Sequence, residues 1–235
     1  MTRTGPARAF YSRWAGPYDL LASHAPGVGR VRAAAVDALD PSPGDTVLEL
    51  GCGTGANFPA LREAVGPEGT VVGVDLTAGM LSRARARIDR EGWTNVHAVR
   101  GDASQPPVAT ADAVFASFLV GMLADPDAAV GTWLDCLEPH GRIALLDLAR
   151  STRQLGGALN PLFRAFVLAS SPRGTRRYHE ESPTRVLDRR VAAAHRTLLA
   201  SCDATVHATR ALGFVRVSAG RKPMEGERGP EADGG

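Results

Sequence analysis

The chain has 235 residues, 44% of them hydrophobic, which is enough for one globular domain with a sizeable core. Its 27 basic and 25 acidic residues leave a formal charge of +2, so no net field favours a nucleic-acid backbone or an anionic membrane surface. Cys52, Cys136 and Cys202 form no CxxC pair, which argues against a disulfide framework or a zinc site and suits a reducing, cytoplasmic compartment.

The first residues lack the apolar core of a signal peptide, and no apolar run approaches membrane-spanning length. Residues 7–39 read as helical, broken at Gly16-Pro17 and Pro26-Gly27, and the amphipathic stretch 28–39 stops before Pro41. From there short apolar runs alternate with helical patterns. Strands are expected at 46–50, 70–76, 95–102, 111–118 and 141–149. Helices are expected at 56–65, with Pro59 in the first turn, at 77–92, with Thr77 as N-cap and Gly92 closing, and from Asp125-Pro126 to about Leu137.

This alternation means an α/β fold whose parallel sheet is covered on both faces. After residue 150 the rhythm breaks. An apolar helix is expected at 155–170, a charged loop at 170–183 and an amphipathic helix at 184–200. Residues 204–208 and 213–219 read either as an antiparallel hairpin or as a helix followed by a strand. The polar, glycine-rich end, 221–235, has the composition of a disordered tail.

The first strand feeds into GCGTGANF (51–58), with glycine at 51, 53 and 55. A glycine-rich turn between strand and helix admits a ligand close to the backbone and offers helix N-terminal amides to an anion. Gly51-x-Gly53-x-x-Ala56 also satisfies the dinucleotide fingerprint, with Asp75 near the spacing of a ribose-binding acid. Other features point elsewhere. Glu49 lies inside the strand before the loop, Gly55 adds a third alternating glycine, a helical segment of some 45 residues precedes the first strand, and Gly101-Asp102 follows the third.

ELGCGTG (49–55), VDLTAGML (74–81), VRGDAS (99–104), ADAVFASF (111–118) and LEPHGRIALLD (137–147) together resemble the class I S-adenosylmethionine-dependent methyltransferases. FYSRWAGPYDLLA (10–22) and ALGFVRVSAGRKP (211–223) are similar to the ends of the ubiquinone/menaquinone biosynthesis branch. Two departures separate the chain from that branch: Gly121-Met122 stands where the quinone enzymes carry Arg-Asn, and Ala22 where they carry Asn.

The resemblance implies a Rossmann-like, doubly wound, mostly parallel seven-stranded sheet with N-terminal helices and a helical substrate-cover insertion after strand five. It implies one domain over 1–220, with an N-terminal helical cap (1–40), a cofactor-binding core (45–149) and a substrate cover (151–190). The implied cofactor is S-adenosyl-L-methionine. Gly51, Cys52, Gly53, Thr54, Gly55 and Asn57 would lie along its methionine part, with Glu49 shaping the loop. Asp75 would take the ribose hydroxyls. Leu76 and Met80 would flank the adenine, with Gly101, Asp102 and Ala103 at its polar edge. Ser117 and Phe118 would sit near the transferring methyl, and Tyr11 and Tyr18 would close over the cofactor.

Each assignment has a plainer counterpart. Asp75 caps the following helix, Asp102 is a turn aspartate, Met80 is a core residue, and Cys52 is a small loop residue. His179 is the one candidate base, against the reading of a lone surface histidine, and the other histidines show no partners in the sequence. No metal-ligand spacing occurs. Leu162, Phe163, Phe166 and Val167 are expected to wall an apolar pocket, so the acceptor expected is a partly apolar small molecule. The alternatives are an enzyme acting on RNA or protein, or a cofactor-binding Rossmann protein without catalysis.

Overall fold

The computed structural model describes residues 27–170 and 182–224. In chain order α1 (Val28–Leu39) precedes β1 (Thr46–Leu50), α2 (Phe58–Val65), β2 (Thr70–Asp75), α3 (Ala78–Glu91), β3 (Val96–Arg100) and β4 (Ala111–Ser117). A single 3-10 turn (Val120–Met122) leads to α4 (Pro126–Asp135) and β5 (Leu137–Leu148). Then come α5 (Gln154–Gly157), α6 (Asn160–Ser170), α7 (Pro183–Ser201), β6 (Asp203–Arg210) and β7 (Val215–Arg221). The seven strands form one sheet in the order β3-β2-β1-β4-β5-β7-β6. β3 to β5 run parallel, and β7 pairs antiparallel with both β5 and β6.

Successive strand residues point to opposite faces, so each continuous apolar run serves two cores. Leu48, Val114 and Leu145 meet Trp133 of α4 and Val191 and Leu198 of α7 on one face. Val47, Phe115 and Ala144 meet Leu39 of α1, Phe58 and Leu61 of α2 and Leu81 of α3 on the other. These side chains are at most 1% exposed. Burying each contributes on the order of 1.5–3 kcal/mol. The glycine-rich loop, the Asp75 turn and the Phe118 turn follow β1, β2 and β4 at the carboxyl ends of the parallel strands, where the winding reverses between β1 and β4.

Several boundaries differ from the sequence expectation. The glycine loop extends to Asn57, and α2 starts at Phe58 with Pro59 in its first turn. Thr77 occupies the N-cap of α3 but its side chain makes no capping bond, and its N–H donates to the Asp75 carboxylate. The helix expected at 155–170 is split into α5 and α6: Gly156 is pressed against the Leu212 carbonyl, and Asn160 pairs through its amide with both the N–H and the C=O of Ser151. The hairpin reading of the last strands is the observed one.

The disordered tail expected from 221 is contradicted at its first residues. β7 runs through Arg221, and Lys222 donates its N–H to Gly141 (2.8 Å) and its ammonium to the Leu137 carbonyl (2.7 Å). Among the described residues, no helix is long and apolar enough to cross a membrane, and no group of three potential metal ligands occurs.

Candidate active site

The loop after β1 places three glycines in left-handed backbone, with φ of 68° at Gly51, 57° at Gly53 and 74° at Gly55. Their surroundings differ. A Cβ on Gly51 would meet Leu119 at 2.9 Å and one on Gly55 would meet Phe58 at 2.5 Å, so both are required by the protein's own packing. A Cβ on Gly53 would find nothing nearer than the Gly51 carbonyl at 4.0 Å. Gly53 alone of the three opens onto free space, in a cleft lined by Arg32, Gly51, Cys52, Gly53, Thr54, Ala56 and Ser117. Cys52 is buried, donates its N–H to the Val74 carbonyl, and has its thiol pushed well above the usual range by burial and by Glu49 and Asp75. Its thiol is thus kept protonated and packed inward, while Cys52 also lines the cleft.

Beneath this loop lies a buried polar cluster. Glu49 of β1 is fully buried and accepts from Asn57 Nδ2 at 2.6 Å. The same Asn57 amide nitrogen donates to Ser117 Oγ at 2.9 Å. Arg32 of α1, 7% exposed, donates to Asn57 Oδ1 at 2.8 Å and to Ser117 Oγ at 3.3 Å, and its guanidinium lies 5.0 Å from the centre of the Phe118 ring. Burial raises the Glu49 pKa to about 7, against the lowering effect of Asn57 and Arg32. Glu49 Oε2 is buried with no hydrogen-bond partner among the described residues. Phe118 itself sits at φ 55°, an uncommon conformation for an aromatic residue.

Arg32 escaped the sequence reading, which stopped at the amphipathic pattern of 28–39. The signal was there. Arg32, Ala35, Val36 and Leu39 are the buried residues of α1, so a charged side chain occupies the stripe that faces the core.

Across the cleft, Asp75 ends β2 and accepts the Gly53 N–H at 3.0 Å and the Thr77 N–H at 2.7 Å. It both caps α3 and faces the glycine loop, and burial raises its pKa. Leu76 is half-buried beside it, while Met80 is 4% exposed and packed inward. Gly101 has no room for a Cβ against Pro107. Asp102 is exposed and accepts from the N–H and hydroxyl of Ser104, the arrangement of a turn aspartate. Ala103 is buried, and its carbonyl accepts the Trp133 indole N–H at 2.6 Å.

Tyr11, Tyr18 and His179 lie outside the described residues. His195 and His207 do have partners: both rings bond Ser218, and His195 also reaches Asp147. These groups lie behind the sheet rather than in the cleft.

The donor set fits S-adenosylmethionine. Gly53 leaves backbone bare where a ligand would rest, Arg32 offers a cation for a carboxylate, and Glu49 and Asp75 offer anions for ammonium and ribose hydroxyl groups.

Residues 47–141 match the methyltransferase domain family. The chain is 33% identical over 232 residues to nocamycin O-methyltransferase of Saccharothrix syringae, covering 95% of this chain and 77% of that protein. It is 30% identical over 152 residues to the ubiquinone/menaquinone biosynthesis C-methyltransferase UbiE of Vibrio campbellii, covering 63% and 58%. The crystal structure of a SAM-dependent methyltransferase from Aquifex aeolicus superposes with a TM-score of 0.60 at 16% identity, covering 91% of this chain and 97% of that one, and shows the same fold.

Proposed function

The chain belongs to the class I S-adenosylmethionine-dependent methyltransferases, and within that family we propose that it methylates an oxygen of a small, partly apolar acceptor. The observation that carries this reading is the reach of the similarity to nocamycin O-methyltransferase. It covers 95% of the chain, through the segment after β5, whereas the similarity to the quinone C-methyltransferase covers 63%. Gly121-Met122, standing where the quinone enzymes carry Arg-Asn, supports the same separation. The apolar surface after β5, where Leu155 is 78% and Leu162 69% exposed, suits a partly apolar acceptor.

When bound, the cofactor supplies an electrophilic sulfonium methyl, whose bond to sulfur breaks as the acceptor oxygen attacks in line. The residues of this chain bind and orient. Arg32 holds the methionine carboxylate, with Asn57, Ser117 and the Phe118 ring fixing its guanidinium. Glu49 faces the ammonium group, and Asp75 takes the ribose hydroxyls while bracing the Gly53 N–H. An acceptor that arrives ionised, such as a phenolate, enolate or carboxylate, needs no protein base.

Two experiments test the reading. Incubation with methyl-labelled cofactor and an extract of apolar metabolites should give a labelled small molecule by mass spectrometry, with the label released as methyl iodide by hot hydriodic acid. Label that stays on carbon, or appears in RNA or protein, would overturn the acceptor assignment. For the cofactor side, Arg32→Met should weaken S-adenosylhomocysteine binding by about 1.5–3 kcal/mol in calorimetry, yet leave methylthioadenosine, which has no carboxylate, nearly unaffected. Equal losses for both ligands would remove Arg32 from the carboxylate.

A further inference from the structure

Ser117 closes β4 and lines the cleft, yet it is only 8% exposed. Its hydroxyl oxygen meets two nitrogens, Asn57 Nδ2 at 2.9 Å and Arg32 Nη1 at 3.3 Å. The role of each is fixed by its other partners. Arg32 can only donate, so the Asn57 atom that faces it at 2.8 Å is the amide oxygen. That turns the Asn57 amide nitrogen toward Glu49 and Ser117, with one hydrogen for each. Ser117 therefore accepts twice, and both lone pairs of its oxygen are spent.

The proton of that hydroxyl has no acceptor among the described residues. The carboxylate of the same cluster does not take it: Glu49 uses Oε1 for Asn57, and its Oε2 is buried with no partner. A tetrahedral oxygen bonded to its own Cβ and to two donors has a single direction left for its proton, and the open side of Ser117 is the cleft that it lines. Accepting from the Arg32 cation also polarises the hydroxyl and makes it a stronger donor. Its fitting partner is an anionic oxygen. A ligand group that brings no lone pair there would leave a buried donor unsatisfied.

We propose that Ser117 is a direct ligand contact, whose hydroxyl donates to an anionic oxygen bound in the cleft. The proposal rests on the methyl-transfer reading given above, under which two such oxygens enter: the carboxylate of the cofactor and the ionised oxygen of the acceptor. On the carboxylate, Ser117 fixes the methionine end of the cofactor. On the acceptor it is a catalytic residue, which holds the oxygen and favours its ionised form. Another lone pair of that oxygen then forms the bond to the methyl carbon, the carbon–sulfur bond breaks with its electron pair passing to sulfur, and Ser117 keeps its proton.

The test is Ser117→Ala, with binding of S-adenosylhomocysteine and of methylthioadenosine read by calorimetry. Turnover is read with methyl-labelled cofactor and an extract of apolar metabolites. A carboxylate partner predicts S-adenosylhomocysteine binding weakened about fivefold or more and methylthioadenosine within twofold, with the loss persisting when Ser117→Ala is added to Arg32→Met. An acceptor partner predicts S-adenosylhomocysteine binding within twofold of wild type and label transfer at saturating cofactor reduced about tenfold or more. A loss of affinity that disappears in the Arg32→Met background would make Ser117 a support for Arg32 and overturn the proposal. Equal losses for both adenosine ligands, or wild-type affinity together with wild-type turnover, would also overturn it. Failure of the wild type to bind S-adenosylhomocysteine would sink the family reading and the proposal with it. If the wild type binds but transfers no label, the acceptor oxygen falls with the O-methylation reading, and the binding measurements alone decide.

Discussion

Alanine at Gly53 and alanine at Gly55 would carry the same left-handed strain, roughly 1–2 kcal/mol each, but only one would collide with the protein. At Gly55 the methyl falls 2.5 Å from the Phe58 ring, and at Gly51 it falls 2.9 Å from Leu119, so both variants should lose about 3 kcal/mol or more in denaturant unfolding. Gly53→Ala should lose only the strain and yet bind S-adenosylhomocysteine at least about tenfold more weakly. Normal binding by Gly53→Ala would mean that the cofactor does not rest on this glycine. The sequence displayed three equivalent glycines. The structure assigns two of them to packing, a distinction that depends on Leu119 and Phe58 and so is not written in the loop itself.

Glu49 shows the opposite balance, a group that lowers stability where it stands. Its pKa rises from 4.5 in the unfolded chain to about 7 in the fold, so the folded state holds the proton more tightly. The stability associated with that proton is fully present below about pH 4.5 and is lost as pH rises through about 7. Glu49→Gln keeps an oxygen for Asn57 and has no charge to bury. Relative to wild type it should gain about 2–3 kcal/mol between pH 5 and pH 8, read from denaturant midpoints at each pH. A difference that stays flat with pH would mean that Glu49 is solvated or paired more fully than its burial indicates. A carboxylate retained at such a cost fits a site that meets a cationic ligand.

At the scale of elements, the strands were legible because each is a short apolar run between turn residues, and α1 was legible to its ends. Ambiguity arose where local pattern and tertiary partner diverge. The segment before Gly213 read almost as well as a helix as it did as the first strand of a hairpin, until β7 is seen to slot between β5 and β6. The segment after β5 misled in another way. Leu162, Phe163, Phe166 and Val167 read as one wall, but Phe163 turns inward, 8% exposed, with its ring 5.2 Å from Phe214, whereas Phe166 is 40% exposed.

Leu162 and Phe166 share the outward side of α6, and Leu155 of α5 and Leu159 of the link between the two helices are exposed as well. Phe163→Ala should therefore cost about 2–4 kcal/mol of stability. Phe166→Ala should stay within about 0.5 kcal/mol of wild type while raising the acceptor KM. An unchanged acceptor KM in Phe166→Ala would place acceptor binding away from this side of α6.

Over the whole molecule, the strand order was the part that no local pattern could supply, because β7 reaches its place through pairing with residues far away in the chain. That order bears on cooperativity. The glycine-lined cleft sits over β1 and β4, while β5, β7, β6 and α7 form the other flank. β4 and β5 each send side chains into both cores, Val114 and Leu145 to one face and Phe115 and Leu146 to the other. Neither flank can open without exposing a core shared with its neighbour, so the described fold should unfold as one unit.

Hydrogen exchange tests this directly. At one hundred times its dissociation constant, S-adenosylhomocysteine stabilises the folded state by about 2.7 kcal/mol, and amides that exchange only through global unfolding should slow about 100-fold. That slowing should reach the β5 amides bonded to β7 as fully as those of β1 beside the cleft. The outer strand β6, whose residues Asp203 to His207 are exposed, should exchange through local fraying and respond far less. Slowing confined to β1, β2 and β4 would mean that the β5–β7–β6 flank opens on its own, and the two cores are not shared in the way their side chains indicate.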